Sequence, residues 1–323
     1  MDRGAVRRER KRKAREERLR QEKHERRFGG RGLAGFLGGG GPPPGVKLAI
    51  TVADHLRIPT ERMFFQMQTR CSLESGGFCD SADREDAQHI AYDALEAKSP
   101  SEAVRLAKTA LDIDPECSDA YLVLAEAEPY TAERLPLLRM AVDFARKALG
   151  EMFEEERGRF WRVNGTRPYM RARARLAREL IDRGDREEAI SHLEALLELN
   201  PEDNQGLRDP LLGQYLSAGR LKEARKLLGR YRGDASAVFL WGEALTLLLE
   251  GRDQDARRAA DRARRRAPLA EPYFQGVEPL PAQSPDMYFV GETSEAAHAA
   301  FMIGPAWALH PEASSWLRDL PWT

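Results

Sequence analysis

The sequence predicts an all-α chain of antiparallel helix pairs stacked side by side, and three observations carry that prediction. Ala, Leu, Arg and Glu dominate 323 residues of which 32% are charged and only 8% aromatic, a balance of good helix formers. From about residue 83 onward, apolar residues recur at helical spacing between short breaks such as Ser99-Pro100 and Asp114-Pro115. The third observation is a repeat. Ala91, Ala103 and Ala110 lie 24, 12 and 5 residues before Pro115; Ala177, Ala189 and Leu196 precede Pro201, and Ala244, Ala256 and Ala263 precede Pro268, by the same offsets. Small residues at fixed places let helices approach closely, and a fixed period marks units that bury their apolar faces only by stacking.

The elements follow in order. Residues 1–45 form a basic arm and a Gly/Pro-rich linker, predicted to be disordered. The first 27 residues hold 13 Lys+Arg against 6 Asp+Glu, whereas the remainder holds 38 against 46, so a basic arm precedes a mildly acidic body. Residues 6–27 contain almost no apolar side chain and can bury nothing. In 28–45, Gly30, Gly32 and Gly35 match GxGxxG, but no strand precedes them and a Gly/Pro run follows, which excludes a dinucleotide fingerprint and leaves a flexible linker. Residues 46–80 read as a short helical lead-in, with Leu48, Val52 and Leu56 on one face and Pro59 as its stop. Residues 81–275 carry the repeats. Two units are degenerate: one around 118–150 is stretched by EPYTAERLP, and one around 204–233 has Pro210 inside its first helix. About five helix pairs are expected. Residues 276–323 hold Trp307, Trp316 and Trp322, and helices near 292–303 and 305–318 would cover the last apolar face of the stack, an aromatic docking patch being the alternative.

The spacing of 67 residues from Pro201 to Pro268 is close to twice the period of about 34 residues of tetratricopeptide repeats, and the pattern over 83–270 resembles that family. A right-handed superhelix is what the resemblance implies. ALDIDPECSDAYLVLAEAE, RAPLAEPYF and GETSEAAHAAFMIGPAWALHPEASSWL also resemble, in order, the suppression-of-tumorigenicity family of tetratricopeptide-like proteins and its shorter bacterial relatives. Animal members of that family have additional hydrophobic amino-terminal segments that this chain lacks, and the family supplies no catalytic motif.

Signals of chemistry are sparse. The chain contains no HExxH, GxSxG or Walker sequence, and His24, His55, His89, His192, His298 and His310 are scattered singly. Cys71, Cys79 and Cys117 form no CxxC, and the spacing of Cys71 and Cys79 with His55 and His89 suits no common zinc module. No cofactor or metal is expected. NPEDNQGLRD at 200–209 lacks the alternation of a calcium loop and reads as a turn in which Asp203 or Asn204 caps the following helix. The NGT at 164–166 matches a glycosylation sequon without a secretory signal beside it.

The densest feature is GTRPYMRARARLAREL. Thr166 reads as an N-cap and Pro168 suits a first helical turn. At about 100° per residue, Arg167, Arg171, Arg175 and Arg178 share an arc of roughly 80°, opposite Met170, Leu176, Ala177, Leu180 and Ile181. Arg173 projects into the apolar arc and must snorkel or find a carboxylate. In tetratricopeptide proteins the first helix of each pair lines a concave groove, so the resemblance places Arg171, Arg175 and Arg178 in it, with Asn204, Gln205 and Arg208 of the next first helix alongside. Such a row resembles the carboxylate clamp of chaperone-associated tetratricopeptide domains. The competing reading is a solvated face neutralised by Glu154, Glu155 and Glu156.

The expectation is therefore a cytoplasmic, non-catalytic adaptor whose concave groove accepts an acidic or extended segment of a protein partner. The alternative is a nucleic-acid- or ribosome-associated factor recruited through residues 6–27, which are also suited to weak binding of an anionic surface. No membrane span is expected, since the longest apolar runs, such as ALTLLL at 244–249, are far shorter than the roughly 20 residues a span requires.

Overall fold

The structure is a computed structural model that describes residues 49–51 and 82–321. The basic arm, the linker, Cys71, Cys79 and Trp322 lie outside those residues. Five helix pairs follow one another: α1 (Ala82–Leu95) with α2 (Pro100–Ile113), α3 (Ser118–Ala127) with α4 (Thr131–Leu149), α6 (Arg167–Arg183) with α7 (Arg186–Leu199), α8 (Arg208–Ser217) with α9 (Leu221–Arg230), and α10 (Ala237–Leu249) with α11 (Asp253–Arg266). A single turn, α5 (Met152–Glu155), and two 3-10 turns separate the second pair from the third. Each second helix packs on the first helix of the next pair, which makes the array an all-α, tetratricopeptide-like stack.

The repeating small residues sit where helices meet. Ala91, Ala110, Ala177, Ala189, Ala244, Ala256 and Ala263 are all fully buried, and Ala103 packs against the first cluster. Around them, fully buried Leu176, Leu180, Ile190, Leu193 and Leu245 each contribute about 1.5–3 kcal/mol by leaving water. Helix α10, AVFLWGEALTLLL, is apolar on most of its surface, Glu243 apart, because α9, α11 and a later helix surround it. Helix α11, DQDARRAADRARRR, buries alanines and Arg264 and leaves its other charges outside or half-buried.

Local chemistry sets the ends. Ser99 and Ser236 accept the N–H groups of Glu102 and Phe239, at 3.3 and 3.4 Å. Gly184 closes α6 with φ of 83°, a conformation that needs no Cβ. Pro210 lies in the first turn of α8, where its missing N–H costs little, rather than inside the helix. Thr166 does not cap α6 by accepting an N–H. Its backbone is already helical and its hydroxyl points back to the carbonyls of Phe160 and Val163 in the preceding 3-10 turns.

Two expectations at the ends of the body change. Where a helical lead-in is predicted, Ala49–Thr51 form a short strand, β1, antiparallel to β2 (Met287–Phe289), with Ile50 opposite Tyr288. At the carboxyl end the expected break near residue 304 is absent: α13 runs unbroken over Thr293–Ala308 with Pro305 inside it, followed by α14 (Pro311–Asp319).

Helix α13 also goes elsewhere than to the end of the stack. It packs along α8 and α10, on the face made by the first helices, and touches the short α12 (Glu271–Phe274). Trp307 is 1% exposed and joins Trp241 and Phe274 in an aromatic cluster with ring centroids 5.3 to 6.4 Å apart, so it is core and not a docking patch. Arg264, buried in α11, pairs with Glu271 and donates to the carbonyls of Leu317, Leu320 and Pro321, which ties down the end of α14.

The approach of α13 to α8 depends on Gly213, where a Cβ would meet the carbonyl oxygen of Met302 at 2.1 Å. A Gly213→Ala variant is therefore expected to lose about 1–3 kcal/mol through overpacking, read as a lower urea midpoint. An unchanged midpoint would show that α13 does not approach α8 in this way.

Candidate functional site

Helix α6 presents one side to its neighbours and one to solvent, and its arginines divide accordingly. Arg171 is buried. It forms a bidentate pair with Asp119 of α3, Nε to Oδ1 at 2.9 Å and Nη2 to Oδ2 at 2.8 Å, and Asp119 is fully buried. Gln88 of α1 donates to the same carboxylate at 2.7 Å, and the ring of Tyr92 lies 5.9 Å from the Arg171 guanidinium carbon. Arg171 thus does not line a groove. It ties three successive first helices together, because only a carboxylate satisfies its fork once both groups have left water.

Arg173 stays half-buried, and neither expected solution applies. It donates to the Tyr169 hydroxyl at 2.6 Å and to Nδ1 of His192 at 3.1 Å, both uncharged acceptors. Burial, and then the nearby Arg173 charge, hold His192 below its ordinary pKa, which keeps its ring available to accept.

Arg175 and Arg178 remain on the open side. Arg175 pairs with Glu126 of α3 at 2.5 Å, and Arg178 with Asp182 at 3.4 Å. Their side chains are 38% and 43% exposed, and those carboxylates 46% and 54%. Glu154 and Glu156, the expected neutralising residues, pair with Arg157 and Arg159 instead. The repeat fixes which face this is. Aligned on Ala177 and Leu212, Arg178 occupies the place of Gly213 in α8, the residue against which α13 lies. In agreement, the guanidinium of Arg178 stacks 4.9 Å from the ring of Phe301 in α13.

The residues expected beside them fall apart into separate roles. Asn204 is exposed in the turn. Gln205 donates to the carbonyl of Met170 at 3.4 Å and so fastens the turn to α6. Arg208 is held by Asp203 at 3.1 Å and Asp234 at 2.7 Å. Asp203, at φ of 51°, accepts the N–H groups of Leu207 and Arg208 at 2.7 and 3.1 Å, the capping role expected of it or Asn204. Burial nevertheless pushes its carboxyl up to about 6 against the pull of Arg208.

A second polar network was not readable from the sequence, since its members are far apart in the chain. His298 of α13 is buried, with Nε2 3.0 Å from Asp209 of α8 and Nδ1 2.9 Å from the Ser284 hydroxyl, beneath the stacked ring of Tyr288 at 4.7 Å. Glu295, one turn earlier, accepts the N–H of Ala237 at 3.0 Å and that of Gly291. These bonds position α13. In this series of Ser, His and Asp the His298 ring is buried, and Pro285, which follows Ser284, has no N–H to donate. Cys117 is unsuited to act as a nucleophile, since burial pushes its thiol up to about 12. Among the described residues no group of three or more His, Cys, Asp or Glu is placed to hold a metal ion.

No protein-family profile matches the chain, and no curated protein does. Among solved structures it is similar to YrrB, described as a TPR protein with an unusual peptide-binding site, at 18% identity and a TM-score of 0.40, covering 55% of this chain and 84% of that one. The helix pairs themselves carry the description of the fold.

Two outcomes follow from these geometries. Arg171→Ala leaves Asp119 buried without its counter-ion and should cost about 3–5 kcal/mol, against about 0–1 kcal/mol for Arg175→Ala. Equal losses in urea denaturation would contradict the assignment. Asp203 holds its proton to about pH 6 in the folded protein against an ordinary value of 3.8, so its contribution to stability is complete below about pH 4 and is lost as pH rises through 6. Measured against Asp203→Asn between pH 4 and 7, the wild type should lose ground steadily; a constant difference would refute the raised pKa.

Proposed function

We propose that the protein is a non-catalytic helical-repeat scaffold that binds a segment of a partner protein along the first helices α1, α3 and α6. The observation that carries this reading is the seat of α13. The same face of α8 and α10 already holds a helix of the chain itself, so the first-helix face is a surface on which a peptide segment packs, and α13 reaches α6 at Phe301. At and beyond that contact the face offers Arg178, stacked on the Phe301 ring, and Arg175; the ion pairs of both are exposed on both partners. Exposed pairs are worth about 0–1 kcal/mol, so a carboxylate of an incoming segment exchanges with Glu126 or Asp182 at little cost.

Among the described residues no helix is long and apolar enough to cross a membrane. Recognition of an extended or helical segment fits a stack of this kind, where main-chain direction and a few anchors set the register.

The test is peptide binding by the full chain. Immobilised twelve-residue peptides with acidic, neutral and basic termini are probed with wild type and with Arg175→Glu, Arg178→Glu. Selective retention on acidic peptides, abolished by the double reversal, is the expected result. Retention indifferent to peptide charge, or unchanged by the reversal, would remove the acidic-segment proposal.

A further inference from the structure

We infer that the outer side of the last two repeat pairs is a docking surface for the phosphate backbone of a single-stranded nucleic acid, separate from the first-helix face and independent of the function proposed for it. Aligning α9 with α11 on Ala224 and Ala256 brings cations into register: Arg225 with Arg257, Lys226 with Arg258, Arg230 with Arg262. All six are exposed. Because α9 and α11 are the second helices of adjacent pairs, each packed against α10, matching positions project to the same outer side. Along each helix the three positions span about 7 Å.

The second helix one pair earlier lacks this feature. Helix α9 carries four Lys+Arg against one Glu, and α11 six Arg against three Asp. Helix α7, the equivalent helix one pair earlier, carries one Arg against four Glu and has Ile190, Ser191 and Ala195 at the three matching places. A general excess of surface charge does not explain that contrast, because the body outside the first 27 residues is net acidic, with 38 Lys+Arg against 46 Asp+Glu.

The chemistry points to phosphate. Five of the six cations are arginines, whose fork matches phosphate oxygens in two directions at once. Arg257 and Arg262 each lean on one carboxylate at 2.8 Å, in exposed pairs that a polyanion displaces cheaply, whereas Arg225 pairs at 2.7 Å with the largely buried Glu250. Lys226 has no carboxylate partner among the described residues, and Arg230 donates to the carbonyl of Leu197 at 3.0 Å. Neither helix exposes a large apolar side chain, which leaves nothing to insert into a lipid bilayer.

The experiment is fluorescence anisotropy of a labelled 20-nucleotide oligouridylate with the full chain, from 50 to 200 mM salt. The substitutions Lys226→Gln, Arg258→Gln and Arg262→Gln together should raise Kd at least tenfold and flatten the dependence of log Kd on log salt by about 2, the loss of three contacts at about 0.7 each. Arg105→Gln, Lys108→Gln on α2, and separately Arg175→Glu, Arg178→Glu, should change neither quantity. Unaltered Kd and slope in the triple variant would overturn the inference, as would equal loss in the α2 variant or no binding by wild type. Loss confined to phosphatidylserine vesicles or to polyglutamate, run in parallel, would overturn it in favour of a lipid or an acidic protein.

Discussion

A helix pair holds together only as closely as its bulkiest interfacial residue permits, and in this chain that distance is set by alanine. Ala177 and Ala189, or Ala244 and Ala256, lie buried at matching places in their pairs, so successive pairs meet at similar separations. Interiors are packed to crystal-like density, and a larger residue at one of these places would displace every helix beyond it. The Leu and Ile side chains that supply most of the apolar burial depend on this spacing. So does the reach of Arg171 to Asp119, a contact between residues 52 apart in sequence.

Buried polar groups perform a different task. Apolar packing tolerates sliding, whereas a bidentate guanidinium–carboxylate pair tolerates almost none. Asp119 with Arg171, Asp209 with His298, and Glu271 with Arg264 each join elements that are not partners within one helix pair. Substituting hydrophobic residues for such pairs often preserves stability, so their presence is better explained by the geometry they specify than by the energy they add. The first fixes α1, α3 and α6; the second and third fix the carboxyl-terminal helices.

The fold was legible because it is written in a period. Offsets from Pro115, Pro201 and Pro268 repeat regardless of what the surface residues are, and the helix pairs appear where those offsets place them. The candidate site was legible in part. Helical periodicity separated Arg173 from the arginine edge correctly, but it treated Arg171, Arg175 and Arg178 alike, since an angle on a helical wheel does not reveal that Asp119 waits at one of those positions. The course of α13 was hidden for the same reason: its partners Asp209 and Gly213 lie some 90 residues earlier in the chain, and no local pattern encodes them. The break expected near residue 304 falls inside one continuous helix, Thr293–Ala308.

A solenoid is ordinarily open-ended, and duplication of a unit lengthens it without rearranging the rest. The inward turn of α13 removes that freedom. A helix that lies across α8 and α10 while its neighbours engage α11 and α12 measures out a fixed number of units, much as a strap of set length does. A pair inserted between α8 and α10 would separate Asp209 from Ala237, and the two ends of one α13 turn, His298 and Glu295, could no longer reach both. Gain or loss of repeats is therefore permitted at the amino-terminal side of α8 and forbidden beyond it, so variation in length among chains of this architecture should accumulate at one end.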